Sequence, residues 1–228
     1  MIYTVTFNPA LDYVMKVDEL RYDDINRTCG EELHYGGKGI NVSVILSGLG
    51  VENIALGFKA GFTGEKLEQL LEEDGINTEF IPLKNGFTRI NVKIKAATEL
   101  DINAQGPPID SDEVEKLFER IQLLRQGDVL VLAGSVPGTL PPDIYEKLLS
   151  VTSQSGVEAV VDSTGDLLLN VLKYRPFLIK PNHFELGDLF GVRIGSEEDI
   201  VKYAKKLQEK GARNVLVSRG KEGATLIT

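Results

Sequence analysis

The sequence predicts an α/β protein with a doubly wound, mostly parallel sheet, helices on both of its faces, and a small antiparallel β lid. Three observations lead to this prediction. Short apolar runs of strand length alternate with amphipathic segments of helix length along most of the chain. One segment, 88–95 (TRINVKIK), instead alternates apolar and polar residues, as a half-exposed strand does. Polar residues directly follow several of the apolar runs, which is where open α/β sheets bind ligands.

The predicted strands of the main sheet are apolar runs that end in turn residues or at polar positions. They are 2–7, 53–58, 128–134, 157–162, 177–181 and 214–218. The predicted helices between and after them are 40–49, 64–74, 114–124, 142–153 and 197–210. Ahead of the third helix, Asp110 and Glu113 have the spacing of a capping box.

The lid prediction starts from the alternating segment, where Ile90, Val92 and Ile94 face away from the polar residues between them. The stretch 98–105 can pair with this strand, and 13–18 can join the same small sheet. We expect the lid strands to lie within about 12–35 and 87–106 of a single domain that spans 1–228.

Composition excludes several classes of function. With 34 acidic against 25 basic residues, the net charge is -9, which argues against a nucleic-acid partner. The single cysteine, Cys29, rules out an internal disulfide framework or a zinc cluster. The start MIYTVTFNPALD has no basic, apolar leader, and no apolar run is long enough to span a membrane. We expect a cytoplasmic protein without a membrane partner.

Polar residues follow five predicted strands and are expected to meet at one edge of the sheet. These residues are Asn8 to Asp12, Gly134-Ser135, Asp162-Ser163, Lys180 to Asn182 with Glu185, and Ser218 to Gly220. The common motifs for phosphate loops, dinucleotide sites and serine nucleophiles are all incomplete in this chain. Any ligand binding or catalysis is therefore expected to depend on these strand-end residues together rather than on one short motif.

The stretch YGGKGINVS, residues 35–43, combines three glycines with Lys38 and Asn41 just before a predicted helix. Glycines let a ligand approach the backbone, and a helix N-terminus with a lysine attracts anions. The same stretch also fits a tight turn that packs closely on the sheet. Both interpretations stay open from the residues alone.

Six motifs occur along the chain in a fixed order: TVTFNPALD, GGKGINVS, TRINVK, AGSVPG, KPNHFEL and VSRGKEGA. In order and spacing they resemble the ribokinase-like sugar kinases of the phosphofructokinase-B type, and the resemblance runs from residue 1 to residue 228. Within that family the chain is most similar to bacterial 1-phosphofructokinases and next to tagatose-6-phosphate kinases. The segments TRINVK and ELDINAQGP favour the former.

The resemblance implies ATP-dependent phosphorylation of a small phosphosugar, first of all fructose 1-phosphate to fructose 1,6-bisphosphate, with Mg²⁺ as cofactor. It implies substrate binding by Asp12, Gly37, Lys38, Asn41, Arg89, Asn103, Ser135 and Arg27. It implies that the nucleotide lies along Lys180, Asn182, Glu185, Ser218, Gly220 and Gly223, with Glu185 and Asn182 arranging Mg²⁺ through water. The lid is expected to form the interface of a homodimer.

The chain departs from the family at one motif. The family carries its catalytic base in G-x-G-D, and these 228 residues contain no such motif. The stretch STGD, 163–166, is similar only superficially, because it directly follows a predicted strand, and we expect Asp166 to cap a helix. We expect the C-terminal part of the domain, with the base, to lie outside this sequence, and residues 1–228 alone not to turn over.

Two other classes of function remain possible from the sequence. A sugar-phosphate or nucleotide binding protein without catalysis fits a chain that lacks the base motif. A kinase of unphosphorylated sugars or nucleosides fits less well, because Arg89 and Lys38 supply two cations on the expected acceptor side.

Overall fold

The computed structural model describes all of residues 1–228, whose strands form two separate sheets. The strands are β1 (Ile2–Thr6), β2 (Ala10–Lys16), β3 (Gly30–Gly36), β4 (Asn53–Lys59), β5 (Thr78–Pro82), β6 (Arg89–Lys95), β7 (Glu99–Ile102), β8 (Val129–Ala133), β9 (Glu158–Asp162), β10 (Leu178–Ile179), β11 (Asn214–Ser218) and β12 (Ala224–Ile227). The helices are α1 (Lys38–Gly48), α2 (Gly61–Glu73), α3 (Ser111–Gln122), α4 (Ile144–Thr152), α5 (Gly165–Val171), α6 (His183–Phe190) and α7 (Glu197–Glu209).

The main sheet has eight strands in the order β12-β11-β10-β9-β8-β1-β4-β5. All its neighbours are parallel except β11 and β12, so the predicted fold class is confirmed. The chain moves from β1 to β4 and β5 on one side and then returns to β8 on the other side. The order of strands therefore reverses between β1 and β8, and ligands bind at such a switch point in open α/β sheets.

Alternate residues of β1 show how the sheet is covered on both faces. Val5 and Phe7 belong to the larger hydrophobic cluster. On the opposite face, Thr4 shares a hydrogen bond with Ser43, and Thr6 accepts one from the backbone N–H of Ile40. Because Ser43 and Ile40 both lie in α1, this face of β1 fixes the position of that helix.

The second sheet has four strands in the order β3-β2-β6-β7, and we call it the lid. β2 pairs with β3, and β6 with β7, in antiparallel fashion, whereas β2 and β6 are parallel. The expectation of an antiparallel lid is therefore wrong for its central pair. The pairing of these two strands runs from Ala10 opposite Arg89 to Lys16 opposite Lys95, so both strands run in the same direction.

Other differences from the predicted elements have local causes. The sequence of β3, GEELHYG, contains two glutamates and is largely exposed, and β5 is short and mixed, so neither strand follows from its sequence pattern. Asp166 does not cap α5. Thr164 occupies the cap position with extended backbone, and Asp166 lies in the first turn.

The capping box at α3 is confirmed, since the backbone N–H of Asp110 donates to the Glu113 carboxylate at 2.8 Å. None of the helices combines the length and the apolar character that crossing a membrane requires.

Candidate functional site

A cavity of about 500 Å³ opens at the carboxyl edge of the main sheet, around the switch point. Its walls come from the segments after β1, β8 and β9, from the start of α1 and from the start of β6. The lining residues are Thr6, Asn8, Gly37, Lys38, Arg89, Ala133, Gly134, Ser135, Val136, Ser163, Thr164 and Leu167. Most are polar or glycine, which suits a charged ligand better than an apolar one.

The glycine-rich turn combines close packing with an open helix end. Gly37 has φ of 133°, a conformation that other residues rarely adopt, and no side chain caps the helix that follows. A Cβ at Gly39 would lie 2.4 Å from Thr6 Oγ1 and 2.8 Å from the Val5 carbonyl oxygen. The two interpretations of this stretch are therefore compatible, because the turn packs on β1 while the N-terminus of α1 faces the cavity.

One carboxylate contacts two lysines at this edge. Lys38 Nζ lies 3.1 Å from Asp162 Oδ1, and Lys180 Nζ lies 3.1 Å from Asp162 Oδ2. The Asp162 side chain is 12% exposed, whereas the lysines are 48% and 36% exposed. The buried Asp162 carboxylate thus pairs both with Lys38, expected on the acceptor side, and with Lys180, expected on the nucleotide side. Two positive charges face one negative charge, so the group keeps a net positive charge.

Arg89 is a half-buried arginine in contact with no carboxylate. Its Nε donates to the Asn8 carbonyl at 3.1 Å, and Nη1 donates to the Ala104 carbonyl at 3.3 Å. The guanidinium carries five N–H groups, so three remain for a ligand. Burial lowers the pKa of Arg89, and the charge of Asp12 opposes that shift. A cation beside a polar cavity with free, planar donors is suited to a phosphate group.

Asp12 lies on the lid beside Arg89 rather than among the residues that line the cavity. Its Oδ1 accepts a hydrogen bond from Asn91 Nδ2 at 2.8 Å, and its Oδ2 lies 3.7 Å from Lys93 Nζ. The carboxylate also lies against Gly36, where a Cβ would be only 2.8 Å from Asp12 Oδ1. The lid thus presents a fixed acceptor next to the arginine.

Asn182 and Glu185 form a capping box at the start of α6. Asn182 Oδ1 accepts from the Glu185 backbone N–H, and Glu185 Oε2 accepts from the Asn182 backbone N–H, both at 2.8 Å. Glu185 Oε1 makes no hydrogen bond within the protein, and this free, hard oxygen fits a hydrated Mg²⁺. The motif therefore starts a helix and still leaves one ligand atom available.

The residues predicted along the nucleotide lie on neighbouring elements. Asn182 forms an isolated parallel bridge with Ser218, which joins the end of β11 to the start of α6. Gly220 and Gly223 flank the short turn that follows, with φ of 59° and 89°. The bridge brings Asn182, which lies just after Lys180 in the chain, next to Ser218, and the assignment of a nucleotide to these residues stays a prediction.

Apart from Asp12 on the lid, the predicted substrate residues divide into two groups in the structure. Gly37, Lys38, Arg89 and Ser135 line the cavity together. Asn41, Arg27 and Asn103 are exposed and do not line it.

The sequence assigned no individual role to Asp162, Asn91 or Ser163. Ser163 lines the cavity, and its buried hydroxyl has no hydrogen-bond partner. Strand-end position was the available signal for Asp162 and Ser163, and the alternation of 88–95 was the signal for Asn91.

Cations, hydroxyls and a helix N-terminus at the switch point of a doubly wound sheet, beside a β lid, define a class of protein that binds phosphorylated ligands. The model of the pfkB family of carbohydrate kinases matches residues 5–228, and the chain belongs to that family. It is 46% identical over 228 residues to the 1-phosphofructokinase of Bacillus subtilis, covering 100% of this chain and 75% of that protein.

A second relative and a solved structure agree with this family. The D-tagatose-1-phosphate kinase of Bacillus licheniformis is 40% identical over 225 residues, covering 98% of this chain and 74% of that protein. The crystal structure of phosphofructokinase-2 from Escherichia coli in complex with fructose-6-phosphate has a TM-score of 0.93 and 28% identity. That comparison covers 99% of this chain and 76% of the other.

Proposed function

We propose that this carbohydrate kinase phosphorylates fructose 1-phosphate to fructose 1,6-bisphosphate with ATP as the donor. The observation that carries the proposal is Arg89, a half-buried arginine with no carboxylate partner that lines the same cavity as Lys38. An unphosphorylated sugar leaves Arg89 without an anion, whereas a phosphosugar supplies one. The similarity to proteins named 1-phosphofructokinase supports this acceptor.

D-tagatose 1-phosphate is the alternative acceptor. The relatives named for tagatose carry the name D-tagatose-1-phosphate kinase, so the 1-phosphate replaces tagatose 6-phosphate as the second candidate. The two acceptors are both ketohexose 1-phosphates, and the same phosphate contacts serve either one. Discrimination between them must come from residues that contact the sugar hydroxyls.

The residues of this chain supply positioning and charge neutralisation, which is most of what phosphoryl transfer requires. Arg89 and Lys38 hold the phosphate of the acceptor. Asp12 accepts hydrogen bonds from sugar hydroxyls, and the lid limits access of water, a competing acceptor. Lys180 approaches the phosphates of ATP from the other side of Asp162, so the two anionic substrates meet around one carboxylate.

Magnesium fits the free carboxylate oxygen of Glu185 described above, with Asn182 next to it. When bound, Mg²⁺ offsets the charge of the nucleotide phosphates. Glu185 Oε1 would hold it, directly or through a water molecule, while Oε2 keeps the helix start in place.

Proton removal from the accepting hydroxyl is assigned to the aspartate of G-x-G-D, a motif that residues 1–228 do not contain. General-base assistance contributes roughly 10²–10⁴-fold to rate. We therefore infer that residues 1–228 bind both substrates and that turnover at the full rate of the kinase needs the aspartate of this motif. ADP release by the 228-residue chain at the rate of a complete relative would show that the base lies within it.

The test of the acceptor is a set of binding titrations by calorimetry with fructose 1-phosphate, D-tagatose 1-phosphate, fructose 6-phosphate and fructose. We expect fructose 1-phosphate to bind most tightly and unphosphorylated fructose to bind most weakly. Tighter binding of D-tagatose 1-phosphate would select the alternative, and equal binding of fructose and fructose 1-phosphate would contradict a phosphosugar site.

We also infer that two copies of the chain pair through the lid. The face of the lid opposite Arg89 and Asn91 is apolar, and it includes Leu33, Leu100 and Ile102, which are 37%, 38% and 54% exposed. Pairing would cover this surface. Sedimentation equilibrium measures it, and Ile102→Lys should shift a dimer toward monomer. A monomer at micromolar concentration for the unaltered chain would contradict the inference.

A further inference from the structure

Asn91 lies at the centre of the lid, directly opposite Asp12 in the pairing of β6 with β2. It is 7% exposed, and its Nδ2 donates to Asp12 Oδ1 at 2.8 Å. An ionised carboxylate only accepts hydrogen bonds, so the amide nitrogen must be the group that faces Asp12. The orientation of the Asn91 side chain is therefore determined by its partner.

Neighbouring groups restrict the orientation of the Asp12 side chain. Gly36 lies against one side of its carboxylate, and the Lys93 ammonium lies 3.7 Å from its second oxygen. The Lys93 side chain also lies 3.7 Å from Asp101, so that lysine is shared between two carboxylates. Asn91 thus makes the one short hydrogen bond to Asp12 from a buried side chain.

The carbonyl oxygen of Asn91 is buried and makes no hydrogen bond. Such an oxygen lowers stability, because it has lost its contacts with water and gained none in the protein. Asn91 and Arg89 are two residues apart on β6, so their side chains lie on the same face of the lid. The unused acceptor therefore lies on the face that carries the arginine proposed to bind phosphate.

We propose that Asn91 is a positioning residue for the sugar part of the acceptor. Its amide N–H holds the Asp12 carboxylate in the orientation that accepts hydrogen bonds from sugar hydroxyls. One strand then contributes to recognition of the whole ligand, with Arg89 for the phosphate and Asn91, acting through Asp12, for the sugar. This inference rests on the proposed phosphosugar function.

The experiment compares two ligands, fructose 1-phosphate and inorganic phosphate, on the unaltered chain and on Asn91→Ala and Asn91→Asp. Hydrogen bonds to charged groups contribute enough to change a dissociation constant by about ten-fold or more. We expect both variants to weaken binding of fructose 1-phosphate by about that factor, and we expect the neutral variant Asn91→Ala to leave binding of inorganic phosphate unchanged. The loss should be larger for Asn91→Asp, because a second carboxylate faces Asp12.

Asn53 provides the matched control. It is also a buried asparagine, 2% exposed, with an unpartnered Oδ1, and its amide donates within the protein to Ser47 Oγ at 3.0 Å. We expect Asn53→Ala to lower the melting temperature without changing either dissociation constant. Melting temperatures of all variants show whether they fold, and Asn91→Asp keeps the size of the side chain if Asn91→Ala does not fold.

Unchanged binding of fructose 1-phosphate in both Asn91 variants would overturn the inference. An equal loss for fructose 1-phosphate and for inorganic phosphate in Asn91→Ala would also overturn it, because Asn91 would then act on the phosphate site or on the fold. If the unaltered chain binds neither ligand, the proposed function itself is contradicted.

Discussion

The two edges of the main sheet use ion pairs in different ways. At the amino edge two cations each have their own anion: the N-terminal ammonium lies 3.0 Å from Asp128, and Arg213 lies 2.6 Å from Glu158. At the carboxyl edge, around the cavity, Lys38 and Lys180 share Asp162, and Arg89 contacts no carboxylate. The amino-edge pairs are balanced one to one, whereas the cations around the cavity outnumber their carboxylate and are available to an anionic ligand.

The number of cations around a carboxylate distinguishes an ion pair that stabilises the fold from a site that binds an anion, and it does so better than burial. Glu158 and Asp162 are the first and last residues of the same strand, β9, and both are carboxylates in ion pairs. They differ in the number of cations around them and in the cavity beside one of them. An excess of cations that line a cavity, rather than the presence of an ion pair, is therefore the feature that indicates an anion site.

The largest expected effect concerns two glycines at opposite ends of α1. Gly39, at the carboxyl edge, has no room for a Cβ, whereas nothing lies within 4 Å of the Cβ position at Gly48. Gly39→Ala should lower the free energy of unfolding by about 1–3 kcal/mol or more, because the helix must move off β1. Gly48→Ala should raise it by about 0.5–1 kcal/mol. Urea unfolding measures both, and equal effects would mean that α1 does not pack on β1 as described.

A smaller effect is expected on ligand binding, and it should differ between Glu158 and Asp162 at the two ends of β9. In the absence of Mg²⁺, Asp162→Asn should tighten binding of fructose 1-phosphate by roughly two- to ten-fold, because a negative charge near the ligand phosphate is removed. Glu158→Gln makes the same chemical change at the other edge and should leave binding unchanged. Weaker binding in Asp162→Asn would show that the carboxylate mainly holds the two lysines in place for the ligand.

The smallest effect concerns pH and the amino edge. Burial opposes the charged form of Asp128, but the Arg125 backbone N–H and the N-terminal ammonium outweigh it and lower the pKa of Asp128. The unfolded chain then takes up this proton at higher pH than the folded chain. The stabilisation, less than about 1 kcal/mol, is present above the ordinary carboxyl pKa and is lost as the pH falls through the lower, folded-state value.

Acid unfolding tests this point with Asp128→Asn. The variant should be slightly less stable than the unaltered chain at neutral pH, and the difference should disappear at acid pH. A difference that persists at acid pH would mean that Asp128 stabilises the protein by packing rather than by its charge.

Much of the fold was predictable because the alternation of strand-length and helix-length segments is local. The pattern gave the main sheet, and the alternation of 88–95 gave β6. The exposed, partly polar sequence of β3 has no clear strand pattern, because the stability of this strand comes from pairing along the whole of β2. The order of the strands is a property of long-range contacts, which no local pattern contains.

Individual residues of the site could be predicted from the sequence, but the contacts between them could not. The glycine-rich stretch before a helix identified Lys38, and the resemblance identified Arg89, and both residues line the cavity. The pairing of Lys38 with Asp162 joins residues that are 124 positions apart. The contact of Asn91 with Asp12 depends on the parallel register of β2 and β6, and an antiparallel lid, as expected from the sequence, gives no reason to place them together.

The most direct test compares two arginines, one with a carboxylate partner and one without. Arg120 contacts Glu79, and its Nη2 lies 3.1 Å from that carboxylate, whereas Arg89 has no carboxylate partner. The measurement is the dissociation constant of fructose 1-phosphate for the unaltered chain, Arg89→Ala and Arg120→Ala. We predict that Arg89→Ala weakens binding by roughly ten- to a hundred-fold, because it removes a charge-assisted contact, and that Arg120→Ala leaves binding unchanged. Equal dissociation constants for Arg89→Ala and the unaltered chain would contradict a phosphosugar site at the carboxyl edge.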